Sequence, residues 1–214
     1  MIWYIPHPDD DALFMGGSIF RCRERRNILV PLTRGGGSGA IALINAKLER
    51  PLSLEDFMRA RCTELTAAAR AVGVDESDVI WQDLPDGGVD EEEVHSIILR
   101  IAKRHPRAEH RAMSYLDQHK DHAAIGRALL RAYREGAVAE ATFYLPVGYA
   151  DEGLGTRVPL GRPARRAKRA ALREYQRWEP ENGRYAVGTH SVKKLIKDQL
   201  KRPEERVHGP DYVG

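Results

Sequence analysis

The chain has 214 residues, enough for one sizeable core and too few for two ordinary domains, so residues 1–214 are read as a single domain. Hydrophobic residues make up 42% and charged residues 30%, the balance of a folded globular protein, which excludes disordered and fibrous classes. Net charge is only +3, but basic residues crowd into Arg162-Pro163-Ala164-Arg165-Arg166-Ala167-Lys168-Arg169 and recur at Lys193, Lys194, Lys201 and Arg202.

No apolar run approaches the roughly 20 residues of a membrane helix, and no basic segment with an apolar signal core opens the chain. A cytoplasmic protein with no membrane partner is expected. Cys22 and Cys62 lack CxxC spacing, which suggests neither a disulfide framework nor a thiolate zinc site.

Residues 2–5 and 28–32 are short apolar runs rich in β-formers. Between them Leu13, Ile19 and Phe20 are apolar and residues 21–26 polar, which reads as a helix. Glycines crowd residues 34–39, so residues 34–51 are expected to form a long mobile loop. Ser53, with Asp56 three residues on, opens a helix carrying Phe57, Leu65, Ala68 and Val72 that stops at Gly73. A strand at 79–81 and a turn at 83–88 follow. Asp90 and Glu93 then cap a helix with Val94, Ile97, Ile98 and Ile101 on one side. Strands are predicted at 113–115 and 141–146, and helices at 122–133, 164–178 and 192–200, with no internal repeat. This alternation argues for a Rossmann-like three-layer α/β/α fold with a mainly parallel sheet, whose site lies at the carboxyl ends of the strands.

Two clusters fall at such ends. In His7-Pro8-Asp9-Asp10-Asp11 an imidazole and a carboxylate across a tight turn can converge on one cation, making His7 and Asp10 candidate ligands and leaving Asp9 as a free base. The plainer reading is that the aspartates cap the helix that follows, but one cap needs one aspartate. In Tyr115-Leu116-Asp117-Gln118-His119-Lys120-Asp121-His122 the histidines stand three apart, and His122 can complete a His, Asp, His set. Two surface histidines with Asp121 as a cap is the plainer reading there, and a second cluster at a second strand end weighs against it.

HPDDDALFMGG resembles the opening motif of the LmbE-like, or PIG-L, zinc-dependent N-deacetylases. Leu32-Thr33-Arg34-Gly35, Arg61-Cys62-Thr63-Glu64-Leu65 with Gly73-Val74, Leu84-Pro85-Asp86-Gly87-Gly88 and His119-Lys120-Asp121-His122-Ala123-Ala124-Ile125-Gly126 look like that family in the same order. The resemblance covers about residues 2–130. It implies that His7, Asp10 and His122 bind one Zn2+, that Asp9 is the general base, and that His119, oriented by Asp121, stabilises or protonates the tetrahedral intermediate. It also implies that Arg61 and Asp86 line the substrate site, and the Arg34 segment joins them as a third substrate-binding candidate. The ligand set also suits Fe2+ or Co2+.

Three departures stand out: Asp11 replaces a glutamate, Lys120 replaces a proline, and no tyrosine lies just before His119, where Asp117 and Gln118 stand, so an oxyanion tyrosine would have to come from elsewhere, such as Tyr149. The expected substrate is a small-molecule N-acyl amino sugar in a soluble glycosylated metabolite, an antibiotic or thiol-cofactor precursor. An amidase acting on a larger conjugate is the nearest alternative. A nucleic-acid-binding module would use the basic run with Tyr175 and Trp178 but leaves both clusters unexplained, so no nucleic-acid partner is expected. A solvated helix face explains the basic run more simply. Oligomeric state stays open, a homo-oligomer included. Residues 34–39 lack the GK[ST] ending of a phosphate loop.

Overall fold

The computed structural model describes residues 1–146 and 153–212. Four parallel strands form its centre: β1 (Ile2–Ile5), β2 (Ile28–Pro31), β3 (His110–Met113) and β4 (Ala141–Leu145), with β1 between β2 and β3 and β4 beyond β3. Further along, β5 (Thr156–Arg157) and a separate hairpin of β6 (Trp178–Glu179) and β7 (Arg184–Tyr185) are two residues per strand. The last strand, β8 (Arg206–His208), inserts antiparallel between β4 and β5, giving the order β2-β1-β3-β4-β8-β5.

Among the described residues seven α-helices accompany these strands: α1 (Gly16–Arg21), α2 (Ala40–Asn45), α3 (Leu54–Ala71), α4 (Glu91–Arg104), α5 (Lys120–Arg134), α6 (Arg162–Glu174) and α7 (Val187–Lys201). Successive strand residues face opposite ways, so the apolar run of β1 feeds two cores. Trp3 and Ile5 pack with Leu65 and Ala68 of α3 and Ala171 and Leu172 of α6. Ile2 and Tyr4 pack with Val94, Ile97 and Ile98 of α4 and Ile125 and Leu129 of α5. The result is the three-layer α/β fold expected from the alternation.

The expected caps form, Ser53 accepting the Asp56 N–H at 3.1 Å and Asp90 the Glu93 N–H at 2.9 Å. Five elements differ from expectation, one being the helix expected at 164–178, which ends at Glu174 and leaves Trp178 in β6. The 34–51 segment is not a bare loop: α2 docks Ala40 and Ile44 against Phe57 and Val187. Residues 79–84 track β2 through the Ile80, Gln82 and Leu84 N–H groups without forming a regular strand. The strand expected at 113–115 lies earlier, at β3, because Ser114 begins the turn that leads to the second cluster. The last helix starts at Val187 and breaks at Val192 (φ −132°, ψ 41°).

Gly126 sets how closely α5 approaches β3. A Cβ there would meet Tyr115 N at 2.3 Å and Met113 O at 2.7 Å, both backbone atoms that cannot swing aside. Gly126→Ala should therefore destabilise by about 2 kcal/mol, overpacking outweighing the gain in helix propensity. Urea unfolding checks it, and a variant as stable as the parent would refute the close approach.

A buried ion pair ties the C-terminal region to the start of α1. Lys168 and Glu205 are each 0% exposed, with Nζ 2.9 Å from Oε1. Glu205 also accepts the Gly17 and Ser18 N–H groups and the Ser18 hydroxyl, while Lys168 donates to Leu13 O at 2.6 Å.

Candidate metal centre

Strand order reverses between β1 and β3, the place where open α/β sheets form crevices. Residues 7–11 leave β1 there, and residues 114–122 leave β3. The two clusters therefore meet.

Asp10 Oδ2 lies 3.2 Å from His7 Nδ1 and 3.2 Å from His122 Nε2, and the two nitrogens are 3.4 Å apart. Two donors about 2.05 Å from a tetrahedral ion stand about 3.3 Å apart, so these three atoms match one face of such a site. The donor set fits a divalent cation. Wider sets, His7 with His119 and His122 or with Asp86 and Asp121, also bring ligand atoms within 4.8 Å of one another. The tight triangle is the better site, because His7 gives it Nδ1 and turns Nε2 toward carboxylates.

Those carboxylates fix the rings. His7 Nε2 donates to Asp121 Oδ2 at 3.1 Å and lies 3.2 Å from Asp86 Oδ1, while His122 Nδ1 donates to Asp117 Oδ2 at 2.9 Å. Each ring thus presents its other nitrogen to the triangle, the usual way an outer carboxylate orients a ligating histidine. Burial alone would lower both imidazoles, but Asp10, Asp121 and Asp86 hold His7 well above its usual range, and Asp10 and Asp117 raise His122 to about 9. Burial opposes the Asp10 charge too, yet His122 and His7 keep it far below the carboxylate range.

Asp9 points elsewhere, as the sequence suggested. It is 4% exposed and adopts φ +129°, a conformation L-residues rarely take, of the kind stored at functional sites. Arg61 Nη2 holds its Oδ2 at 3.1 Å. Burial raises Asp9 to about 7 against the pull of Arg61. Asp11, also buried and raised to about 7, accepts the Tyr175 hydroxyl at 2.6 Å. His119 is exposed, with its ring 4.9 Å from that of His7 and 4.5 Å from that of His122; burial and those neighbours lower its pKa.

Two expected placements change, those of Asp121 and Arg34, while Arg61 and Asp86 both line the cavity. Asp121 is directed at His7 and at the Gly87 and Val89 N–H groups, rather than orienting His119. Arg61, 3% exposed, lines the cavity and is also held by Asp9, Pro8 O and Gly35 O, so its guanidinium fixes the base loop. Asp86 does line the cavity, but its oxygens meet His7 and the Gly37 N–H. Arg34 pairs with Glu55 and stays off the cavity wall, since α3 turns that carboxylate toward it. Tyr149 lies outside the described residues.

A cavity of about 340 Å³ opens on the triangle. Beside the polar residues above, Leu13, Phe14 and Pro146 line it, and α7 adds Ser191, Val192 and Leu195, which the sequence reading missed. Asp117 was missed as well, although its place five residues before His122 was in view. Asp117→Asn should weaken metal affinity about 10–100-fold, the usual cost of losing an outer carboxylate. Competition against a chelator measures it, and an unchanged affinity would remove Asp117 from the site.

Comparison with known proteins agrees with this geometry. The family model described as GlcNAc-PI de-N-acetylase, PIG-L, matches residues 2–133. No curated protein matches. A deacetylase triple mutant of the teicoplanin biosynthetic pathway superposes with TM-score 0.72 at 17% identity, covering 99% of each chain. The N,N'-diacetylchitobiose deacetylase of Pyrococcus horikoshii gives 0.62 at 17% identity, over 98% of this chain and 83% of its own. A 4-carboxy-2-hydroxymuconate hydratase from Pseudomonas putida gives 0.67 at 16% identity, over 100% and 96%, so this fold hosts more than one reaction and function must be argued from the site. With its motifs converging on one metal-sized triangle and the family model spanning most of its length, the chain belongs to the PIG-L, GlcNAc-PI de-N-acetylase, family.

Proposed function

We propose that the protein is a zinc-dependent N-deacetylase that removes the acyl group from the amino sugar of a soluble glycosylated metabolite. The observation that carries the reading is the His7, Asp10 and His122 triangle with a separate buried carboxylate, Asp9, beside it. His7, Asp10 and His122 would hold the metal, which when bound supplies Lewis acidity to the amide carbonyl and lowers the pKa of a water toward about 7.

The chain's own residues do the rest. Asp9, fixed by Arg61, takes the proton of the attacking water and returns one to the nitrogen as the C–N bond breaks, leaving a carboxylate and a free amine. His119, exposed in the cavity, offers a ring N–H to the developing oxyanion, a contribution of roughly 3–4 kcal/mol for one such donor. Asp117 and Asp121 keep the ligating rings in place throughout.

A second reading, an amidase cleaving a larger conjugate, draws on Leu195, which is 43% exposed while lining the cavity and so offers an apolar surface to a bulkier substrate. The basic residues of α6 add nothing to the cavity: Arg162, Arg165, Arg166 and Arg173 are exposed around a buried stripe of Ala164, Ala167, Ala171 and Leu172. Acetate release from a panel of N-acetylglucosamine conjugates, with and without chelator, tests the proposal. Chelator-sensitive acetate from one conjugate is expected. Cleavage confined to larger amides would favour the second reading, and no hydrolysis of either would overturn both.

A further inference from the structure

Glu64 is the motif residue that the site leaves unused. It is 0% exposed and sits one turn beyond Arg61 on α3. Its two oxygens accept the Val187 N–H at 2.7 Å and the Gly188 N–H at 3.1 Å, the first two peptide groups of α7. Those donors have no partner within the helix, so Glu64 caps α7 from another element.

The start of α7 is held in place on other sides as well. Ala186 takes a left-handed conformation (φ 50°, ψ 42°), which costs energy in a residue with a Cβ and persists only where the surroundings enforce it. Gly188 abuts Tyr175, whose Cβ would lie 2.7 Å from any Cβ placed there, and Thr189 donates to Tyr175 O. The helix then breaks at Val192, and Ser191, Val192 and Leu195, which flank or form the break, are the α7 residues that reach the cavity. Where this first turn docks decides where that wall stands.

We propose that Glu64 is a positioning residue for substrate binding: by gripping the first two peptide groups of α7 it sets the cavity wall formed by Ser191, Val192 and Leu195. One turn of α3 then reaches two parts of the cavity lining, the base loop through Arg61 and the start of α7 through Glu64. The wall touches substrate away from the reacting bond, so its displacement removes binding shared by ground and transition states. The inference rests on the amino-sugar reading above.

The test is Glu64→Gln, which keeps the shape but turns an amide N–H toward one of the two donors. With the metal-loaded enzyme and the best conjugate of the panel, KM should rise at least tenfold while kcat stays within threefold and metal content is unchanged. Amide exchange at Val187 and Gly188 should quicken at least tenfold, with α4 unaffected. Gly188→Ala, which pushes α7 off Tyr175 while leaving the Glu64 side chain itself unaltered, should give the same split, and it carries the test if Glu64→Gln does not fold. Faster exchange with unchanged KM would overturn the proposal, as would kcat falling in step with kcat/KM. A parent enzyme inactive on every conjugate would instead overturn the amino-sugar reading, and with it this account of the wall.

Discussion

Asp9→Asn should lower kcat about a thousandfold while the chain still binds one metal ion. A positioned general base contributes roughly 10²–10⁴ in rate, and Asp9 is the one acidic side chain of the His7–Asp11 turn turned away from both the triangle and Tyr175. Asparagine has the same shape, and its oxygen can still accept from Arg61, so the φ +129° backbone and the neighbouring Asp10 should stay as they are. Metal content measured by elemental analysis separates this outcome from damage to the site. A variant within tenfold of the parent would assign the proton transfer to another residue, and one that lost metal would make Asp9 part of the donor set.

Lys168→Met has the largest expected effect on stability. Removing the cation strands the Glu205 carboxylate in a place with no exposed surface, where truncating one partner of a buried pair costs about 3–5 kcal/mol. For a chain of this size that lowers the melting temperature by roughly 10 °C. Pairing it with Glu205→Gln should recover more than half of the loss, because the amide oxygen still accepts from Gly17 or Ser18 and no charge remains buried. Circular dichroism melts of the parent and both variants give the answer. A single variant within 2 °C of the parent would mean the pair is replaceable.

Why the sequence revealed some of this and concealed the rest follows from where each signal resides. The β1 run, the caps at Ser53 and Asp90, and the two clusters are local patterns, and local patterns survive folding. The pairing of His7 with His122 could be inferred because both follow strands of a parallel sheet, whose carboxyl ends share a rim. β8 could not, since Arg206-Val207-His208 is three residues long and carries no apolar period. α2 was hidden behind the glycines that precede it.

Side-chain roles that depend on a tertiary partner were the least legible. Arg61 looked like a hand for substrate, and its spacing from Phe57, Leu65 and Ala68 also placed it on the buried face of α3. Glu64 lies on that same face, and only the arrival of α7 shows why a carboxylate belongs there. Asp121 read as a helix-cap candidate from sequence and Asp117 was passed over, and the fold sets one on each ligating ring. Gly126, by contrast, marks a close approach that a Cβ would forbid, because the atoms it would meet belong to the backbone.

The central claim is that hydrolysis needs one divalent cation held by His7, Asp10 and His122. The most direct measurement strips the protein with chelator and follows acetate release from the best conjugate as Zn2+ is titrated back. Activity should be absent at the start, rise linearly and break at one equivalent per chain, with a His122→Ala chain staying flat throughout. Acetate release that persists in the stripped protein, or a His122→Ala chain that recovers with the parent, would contradict the account.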